Sequence, residues 1–413
     1  MFSRCHNTTT FTSPLNQFQD ICRKAIKTSF GRLHKPFNDL LVEISLLMLL
    51  LPHRVNFTQF EKYGKRSEKC YRDNFSRPFG WIKLNMELSS MRFSTGTRRA
   101  IAIDPSYISK SGVHTPGIGR FWSGCAGAVR RGLEILGIAL VDADANDAMM
   151  LRAVQTPSEQ SLKDCGVSLI SWYLTAILNL REQLLSMSRV IVADAYFSVK
   201  PFADGLCERG FHLISRLRDN ANLRYIHTGP RRAGRGRPKS YDGKIDVRHP
   251  DPDRMQRVET SFGDGVCYTL LAYAVALKRT VRLVLYYPEG GAPKIFFSTD
   301  TAITARDIVD LYRSRFQIEF CFRDAKQYTG LCDCQARDLD KLDFHFNASF
   351  CSLNVAKIYI KELNPRLSIP GVKSLMYNIY IAHRIFSLCG FRPHKSLNGQ
   401  IFKELFNIAA PAA

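Results

Sequence analysis

Tyr312, Arg315, Glu319 and Lys326 follow one another at spacings of three, four and seven residues in the run YRSRFQIEFCFRDAK. At about 100° per residue of α-helix, the four fall within an arc of about 60° on one face. Two further carboxylates close short apolar runs: Asp104 ends RRAIAID and Asp194 ends RVIVAD. Strand ends and a facing helix can bring acids that are distant in sequence to one point, where three carboxylates repel strongly unless a cation holds them. Mg2+ suits such a set because it takes a few carboxylates and keeps positions for water and phosphate. Two such ions about 4 Å apart can activate a water and stabilise the leaving oxygen of a phosphodiester. Arg315 and Lys326, flanking Glu319, would then hold backbone phosphates, with Tyr312 packing beside them or donating to a phosphate. Each residue also has a plain reading. Asp is common at strand ends, Tyr312 could be core, and an exposed Arg315–Glu319 pair is worth only a few tenths of a kcal/mol. The joint pattern favours the site.

The elements that must position these residues can be read from periodicity. Residues 1–95 read as helical, and NFTQFEKYG and SEKCYRDNFSR, joined at Gly64, fit a helix-turn-helix. Between 51 and 95 there are nine Lys/Arg against four Asp/Glu. From about 96 short apolar strands alternate with helices: RRAIAID, GLEILGIALVDAD, a long helix over Ser168–Met187, RVIVAD and FHLISRLR. That alternation predicts an α/β core over 96–218 that resumes with KIFFSTD at 294–355. The stretch 219–293 interrupts it with β-rich runs and suggests an inserted β-subdomain, and 356–413 reads as a C-terminal helical region. Thr304 and Asp307 mark the start of the helix bearing the stripe. SYISKSG and TPGIGRFWSG are expected as loops near the site, and His345 as a satisfied core histidine.

The 413 residues carry 58 Lys+Arg against 37 Asp+Glu, a formal charge of +21 that points to a polyanionic partner, nucleic acid before membrane. RRAGRGRPK packs Arg231, Arg232, Arg235, Arg237 and Lys239 into nine residues without an acid, a composition suited to a DNA minor groove as well as to a solvated loop. The twelve cysteines are scattered; Cys332 and Cys334 stand close, with no second pair to complete a zinc site. They read as reduced, cytosolic thiols. MFSRCHNTTT has no signal-peptide core, and LLVEISLLMLLLP is too short to span a bilayer and reads as a buried helix.

The Y-x2-R-x3-E-x6-K spacing, together with AIDPSYISKSG around Asp104 and VADAYFS around Asp194, resembles the signature of DDE transposases of bacterial insertion sequences, the cut-and-paste branch. The resemblance spans roughly residues 95–355. It implies an RNase H-like core, a mixed sheet flanked by helices, with an inserted β-subdomain and an N-terminal helical DNA-binding region. It implies Asp104, Asp194 and Glu319 as a catalytic triad binding two Mg2+ ions, with Mn2+ able to substitute. Tyr312, Arg315 and Lys326 carry over as contacts to the phosphates of the element end. The implied partners are double-stranded DNA (terminal inverted repeats and target) and a second copy in a synaptic homodimer, with no membrane, in the cytoplasm at the nucleoid. One departure stands out. Hairpin-forming members can stack a flipped base on a Trp of the inserted subdomain, whereas Trp81, Trp122 and Trp172 all lie outside it here. Tyr225, Tyr241 or Phe262 could supply that face.

Overall fold

The computed structural model describes residues 13–230, 238–259, 265–363, 365–392 and 395–409. Phe262 and four of the five cations of RRAGRGRPK, namely Arg231, Arg232, Arg235 and Arg237, lie outside the described residues. The chain forms two compact units. One comprises Met1–Arg92, His114–Pro116 and Cys321–Ala413; the other comprises Phe93–Val113 and Gly117–Phe320.

The first unit is helical. Its N-terminal part holds α1 (Pro14–Phe30), α2 (Lys35–Leu50), α3 (Phe57–Tyr63), α4 (Glu68–Asn74) and α5 (Trp81–Arg92). The Leu-rich run is α2, and every residue from Leu40 to Leu50 is buried; a helix apolar all round has no face to give to water. Asn56 and Ser67 cap α3 and α4 with their side chains, accepting from the backbone N–H of Gln59 and Cys70. Gly64 joins the two helices where there is no room for a side chain. A Cβ there would overlap the Tyr71 hydroxyl and lie 2.6 Å from the Phe60 carbonyl oxygen.

The second unit is built on one sheet. Its elements are β1 (Arg99–Ser109), β2 (Gly119–Ser123), β3 (Ala128–Asp142), β4 (Asp147–Gln155), α6 (Glu159–Asp164), α7 (Leu169–Leu178), α8 (Arg181–Leu185), β5 (Val190–Val192), α9 (Lys200–Cys207), β6 (His212–Leu217), β7 (Leu223–Ile226), β8 (Tyr241–Lys244), β9 (Gln256–Val258), β10 (Gly265–Ala274), β11 (Arg279–Pro288), β12 (Lys294–Ser298) and α10 (Ala305–Ser314). The strand order is β2-β3-β1-β5-β6-β12-β11-β10-β7-β8, with β4 also on β3 and β9 also on β10. β1–β5 and β5–β6 are parallel. The long β1–β3 ladder and β6–β12 are antiparallel, so the sheet is mixed. Its helices include α10, which packs on β3, β6, β11 and β12, and α9, which packs on β6. This mixed α/β arrangement is compatible with an RNase H-like fold. Within 219–293, β11 pairs with β12 and continues the same sheet.

The remaining helices are α11 (Gln317–Tyr328), α12 (Leu339–Leu363), α13 (Ile369–Leu388) and α14 (Lys395–Ala409). Within the helical unit, α12 is the axis on which α1, α2 and α5 pack. Its buried polar groups are matched: Ser352 donates to the Ser45 carbonyl (2.7 Å) and the Asn354 amide to Asn85 Oδ1 (3.0 Å). No disulfide joins the described cysteines, and no described helix is long and apolar enough to cross a membrane.

Three sequence expectations are corrected at the level of elements. The helix expected over 168–187 is two, because α7 closes at Asn179 and Leu180 leaves helical geometry (φ −111°, ψ 14°) before α8 starts. SYISKSG is not all loop: β1 runs on to Ser109, paired with β3 along its whole length. TPGIGRFWSG contains β2, which pairs with Ala128–Gly132.

Candidate active site

The two aspartates are placed by the parallel pairing of β1 and β5. Ala102 sits in register with Val192, and Asp104 and Asp194 each lie two residues further on. The pairing brings the two carboxylates near enough for the Asp194 charge to act on Asp104. Asp194 does not end a strand as expected: β5 closes at Val192, two residues before it. It caps a short 3-10 turn, its Oδ1 accepting from the Tyr196 N–H at 3.0 Å, while Ser215 on β6 donates to its carbonyl (2.7 Å). Asp104 does not end its strand: β1 continues five residues past it, because β3 still offers partners there, beginning with Gly137 opposite Asp104.

The stripe of Tyr312, Arg315 and Glu319 is not on one unbroken helix. α10 ends at Ser314 and α11 begins at Gln317. Between them the bonds tighten to i→i−3, as in Ile318 N–H to Arg315 carbonyl and Glu319 N–H to Phe316 carbonyl, both 3.1 Å. The kink leaves Arg315 and Glu319 in reach of each other. Arg315 Nη2 lies 2.9 Å from Glu319 Oε1, and Nη1 lies 3.4 Å from Asp104 Oδ1. Thr304 opens α10 as expected, accepting from the Asp307 N–H (3.1 Å).

The Arg315 side chain is only 14% exposed while Glu319 is 38% exposed, so their pair lies between the two readings. An exposed pair contributes about 0.3–0.5 kcal/mol, whereas removing one partner of a buried pair costs about 3–5 kcal/mol. The guanidinium also stands 5.9 Å from the Tyr312 ring centroid. Tyr312 packs on Phe296 at 5.0 Å, and burial, the largest cause, raises its hydroxyl pKa.

The acids feel one another. Burial is the largest cause lifting the Asp104 carboxyl from 3.8 to about 7; Arg315 opposes it, and the charges of Glu319, Asp194 and Glu134 add to the rise. One arginine against four carboxylates is a surplus of negative charge in a low-dielectric place. The donor set is hard oxygen, which fits a divalent cation. Among the described residues, however, no group of three His, Cys, Asp or Glu side chains is disposed to hold an ion. Arg315 instead occupies one oxygen each of Asp104 and Glu319.

Other residues take positions that sequence reasoning did not assign. Glu134 on β3 is buried, accepts a 2.6 Å hydrogen bond from the Tyr173 hydroxyl, and has its carboxyl raised, chiefly by burial. An acid inside the apolar run GLEILGIALVDAD was the available signal. Arg216 on β6 lies opposite Phe296 in the sheet, its guanidinium 6.0 Å from that ring, and its charge reaches Tyr312; nothing in its strand pattern marked it. Lys326 follows on α11 past Phe320, where this unit ends. Lys239 is exposed and pairs with Asp242 at 2.7 Å. His345 is a core residue of the helical unit, its Nε2 2.8 Å from the Gly330 carbonyl.

Residues 173–355 match the family model for the transposase DDE domain. Over those residues, somewhat under half of the chain, the protein is similar to the transposase DDE domain, which is consistent with a DDE transposase of an insertion sequence. The match includes Asp194, Tyr312, Arg315, Glu319 and Lys326, and begins after Asp104. No curated protein matches the chain.

Proposed function

We propose that the protein is a transposase that cleaves DNA strands at the ends of an insertion sequence and transfers them to a target. The observation that carries this reading is the shared field of Asp104, Asp194 and Glu319, with Arg315 bridging the first and last. Mg2+, or Mn2+ in its place, held by these three carboxylates would supply an activated water and charge stabilisation for the leaving oxygen. The chain's own groups do the rest. The carboxylates would hold the cation. Arg315, released from them, grips a phosphate in bidentate fashion, and Tyr312 and Phe296 wall one side. Lys326 adds a second phosphate contact, with Lys239 and the arginines 231, 232, 235 and 237 contributing charge outside the catalytic cluster.

In this reading 96–218 and 294–355 are an RNase H-like core and 219–293 its β-rich insertion. Residues 1–95 bind terminal repeats through the α3–α4 pair, and 356–413 form a C-terminal helical region. Two element ends are joined by two copies of the chain, in the cytoplasm at the nucleoid. A silent DNA-binding relative of the same fold is the less favoured alternative, since all three acids are retained.

The test uses purified protein and a supercoiled plasmid carrying the DNA that flanks its gene. Cuts at two defined ends that need Mg2+, stop with EDTA and vanish in Glu319→Ala are expected. Retarded plasmid with no cut under either metal would leave the silent reading in place. Cleavage surviving in the variant would remove Glu319 from the site.

A further inference from the structure

β2 and the start of β3 form a hairpin whose exposed face carries a specific set of side chains. Arg120 lies directly opposite Arg131, and Trp122 directly opposite Val129. Cross-strand partners and alternate residues share a face, so these four are on one side, while Phe121, on the other side, is buried. Trp122 is 61% exposed and Val129 48%. Trp81, by contrast, is 3% exposed. Two like charges placed opposite each other on a strand pair destabilise it, so the arrangement favours an anionic partner. Along the sequence from Pro105 to Leu133 the chain has four Lys/Arg and no Asp or Glu, and the Arg131 guanidinium donates to the Gly112 carbonyl at 3.3 Å.

We propose that this face binds an unpaired stretch of DNA, with a base stacked on the Trp122 indole and the flanking phosphates on Arg120 and Arg131. A duplex keeps its base faces inside the stack, so an exposed indole one cross-strand pair along the same face from two arginines suits a strand whose bases are free. A second copy of the chain is the poorer occupant, because a two-fold contact would set arginine against arginine. The face is continuous with the catalytic strands. Arg131 is six residues along β3 from Gly137, the partner of Asp104, or about 20 Å at roughly 3.4 Å per residue. The hairpin thus takes the strand some nucleotides away from the bond being cut. The inference rests on the reading of this unit as one that acts on DNA, and not on its cutting activity.

The experiment measures binding of the full chain, in EDTA, to a labelled oligothymidylate of about twenty nucleotides and to a blunt duplex of equal length. Trp122→Ala is expected to weaken oligothymidylate binding about tenfold. Trp122→Phe keeps most of it, and duplex affinity changes by less than about twofold. Arg120→Gln with Arg131→Gln lowers the salt slope for the single strand by about 1.4, at roughly 0.7 per phosphate contact. Oligothymidylate binding unchanged in Trp122→Ala overturns the proposal. So does an equal loss on both probes, or a lower oligomeric state of the variant by light scattering, which would make the face a protein contact. Plasmid cleavage by the unaltered chain separates the two readings. Its absence alongside Trp122-dependent strand binding sinks the nuclease and spares the hairpin, and the reverse pattern does the opposite.

Discussion

Glu43 in the helical unit and Asp104 in the sheet unit are both carboxylates taken largely out of water, with side-chain exposures of 11% and 20%. Their surroundings differ in kind. Glu43 Oε1 accepts from the Lys65 N–H (2.6 Å) and the Tyr71 hydroxyl (2.8 Å), and Oε2 pairs with Arg66. Every partner is a donor, and together they fix the turn between α3 and α4 against α2. Asp104 has one cation, Arg315, shared with Glu319, and three other carboxylates raising its pKa. Burial costs a charge its hydration in both places. Near Glu43 the fold supplies what is lost. Near Asp104 it leaves the debt standing, which is what the proposed cation site requires of the fold.

The largest expected effect sets the two acids against each other. Asp104→Asn removes a crowded charge while keeping its shape. Cleavage should fall to background while the thermal midpoint at pH 8 rises by about 2–4 °C. A lower midpoint by differential scanning fluorimetry would mean that the Arg315 contact outweighs the crowding. Glu43→Ala should do the reverse. It strands Arg66 and two donors and should cost the helical unit about 3–5 kcal/mol in urea unfolding. A loss below about 1 kcal/mol would reduce that network to a surface pair. Gly64→Ala forces a Cβ into the Tyr71 hydroxyl and should cost about 1–3 kcal/mol by the same measurement.

Two smaller effects follow from titration. The Asp104 carboxyl titrates near 7 in the folded chain against 3.8 when free, so between those values the folded state holds a proton that the unfolded state has released. Its contribution to stability is complete below about pH 4 and is lost as pH rises through about 7. Midpoints measured in EDTA should therefore fall between pH 5 and 8, and less steeply in Asp104→Asn. Arg315→Gln removes the main influence lowering that pKa. The acid limb of the cleavage–pH profile should shift to higher pH, and an unmoved limb would detach it from Asp104.

Most strands could be read from the sequence because β-branched apolar runs bounded by polar residues have few other uses; RVIVAD and KIFFSTD are examples. The start of α10 was equally legible, since Thr304 and Asp307 act within one turn. What failed were the ends of elements. Leu180 gives no local signal for the break between α7 and α8. The extension of β1 past Asp104 depends on β3, whose pairing residues lie some thirty positions away. The break at Arg315–Phe316 is a matter of a few backbone bonds shifting from four-residue to three-residue spacing, which side-chain periodicity does not register.

The sequence by itself determined which residues are candidates. Charge, spacing and the short apolar runs single out Asp104, Asp194, Glu319 and Arg315, because those signals are local and additive. Tertiary structure alone decided their electrostatic state. The register of β1 on β5 and the kink before Glu319 bring the acids within each other's field, and β3 adds Glu134. Interactions between charges depend on separation in space and on the water excluded between them, and neither is written along the chain.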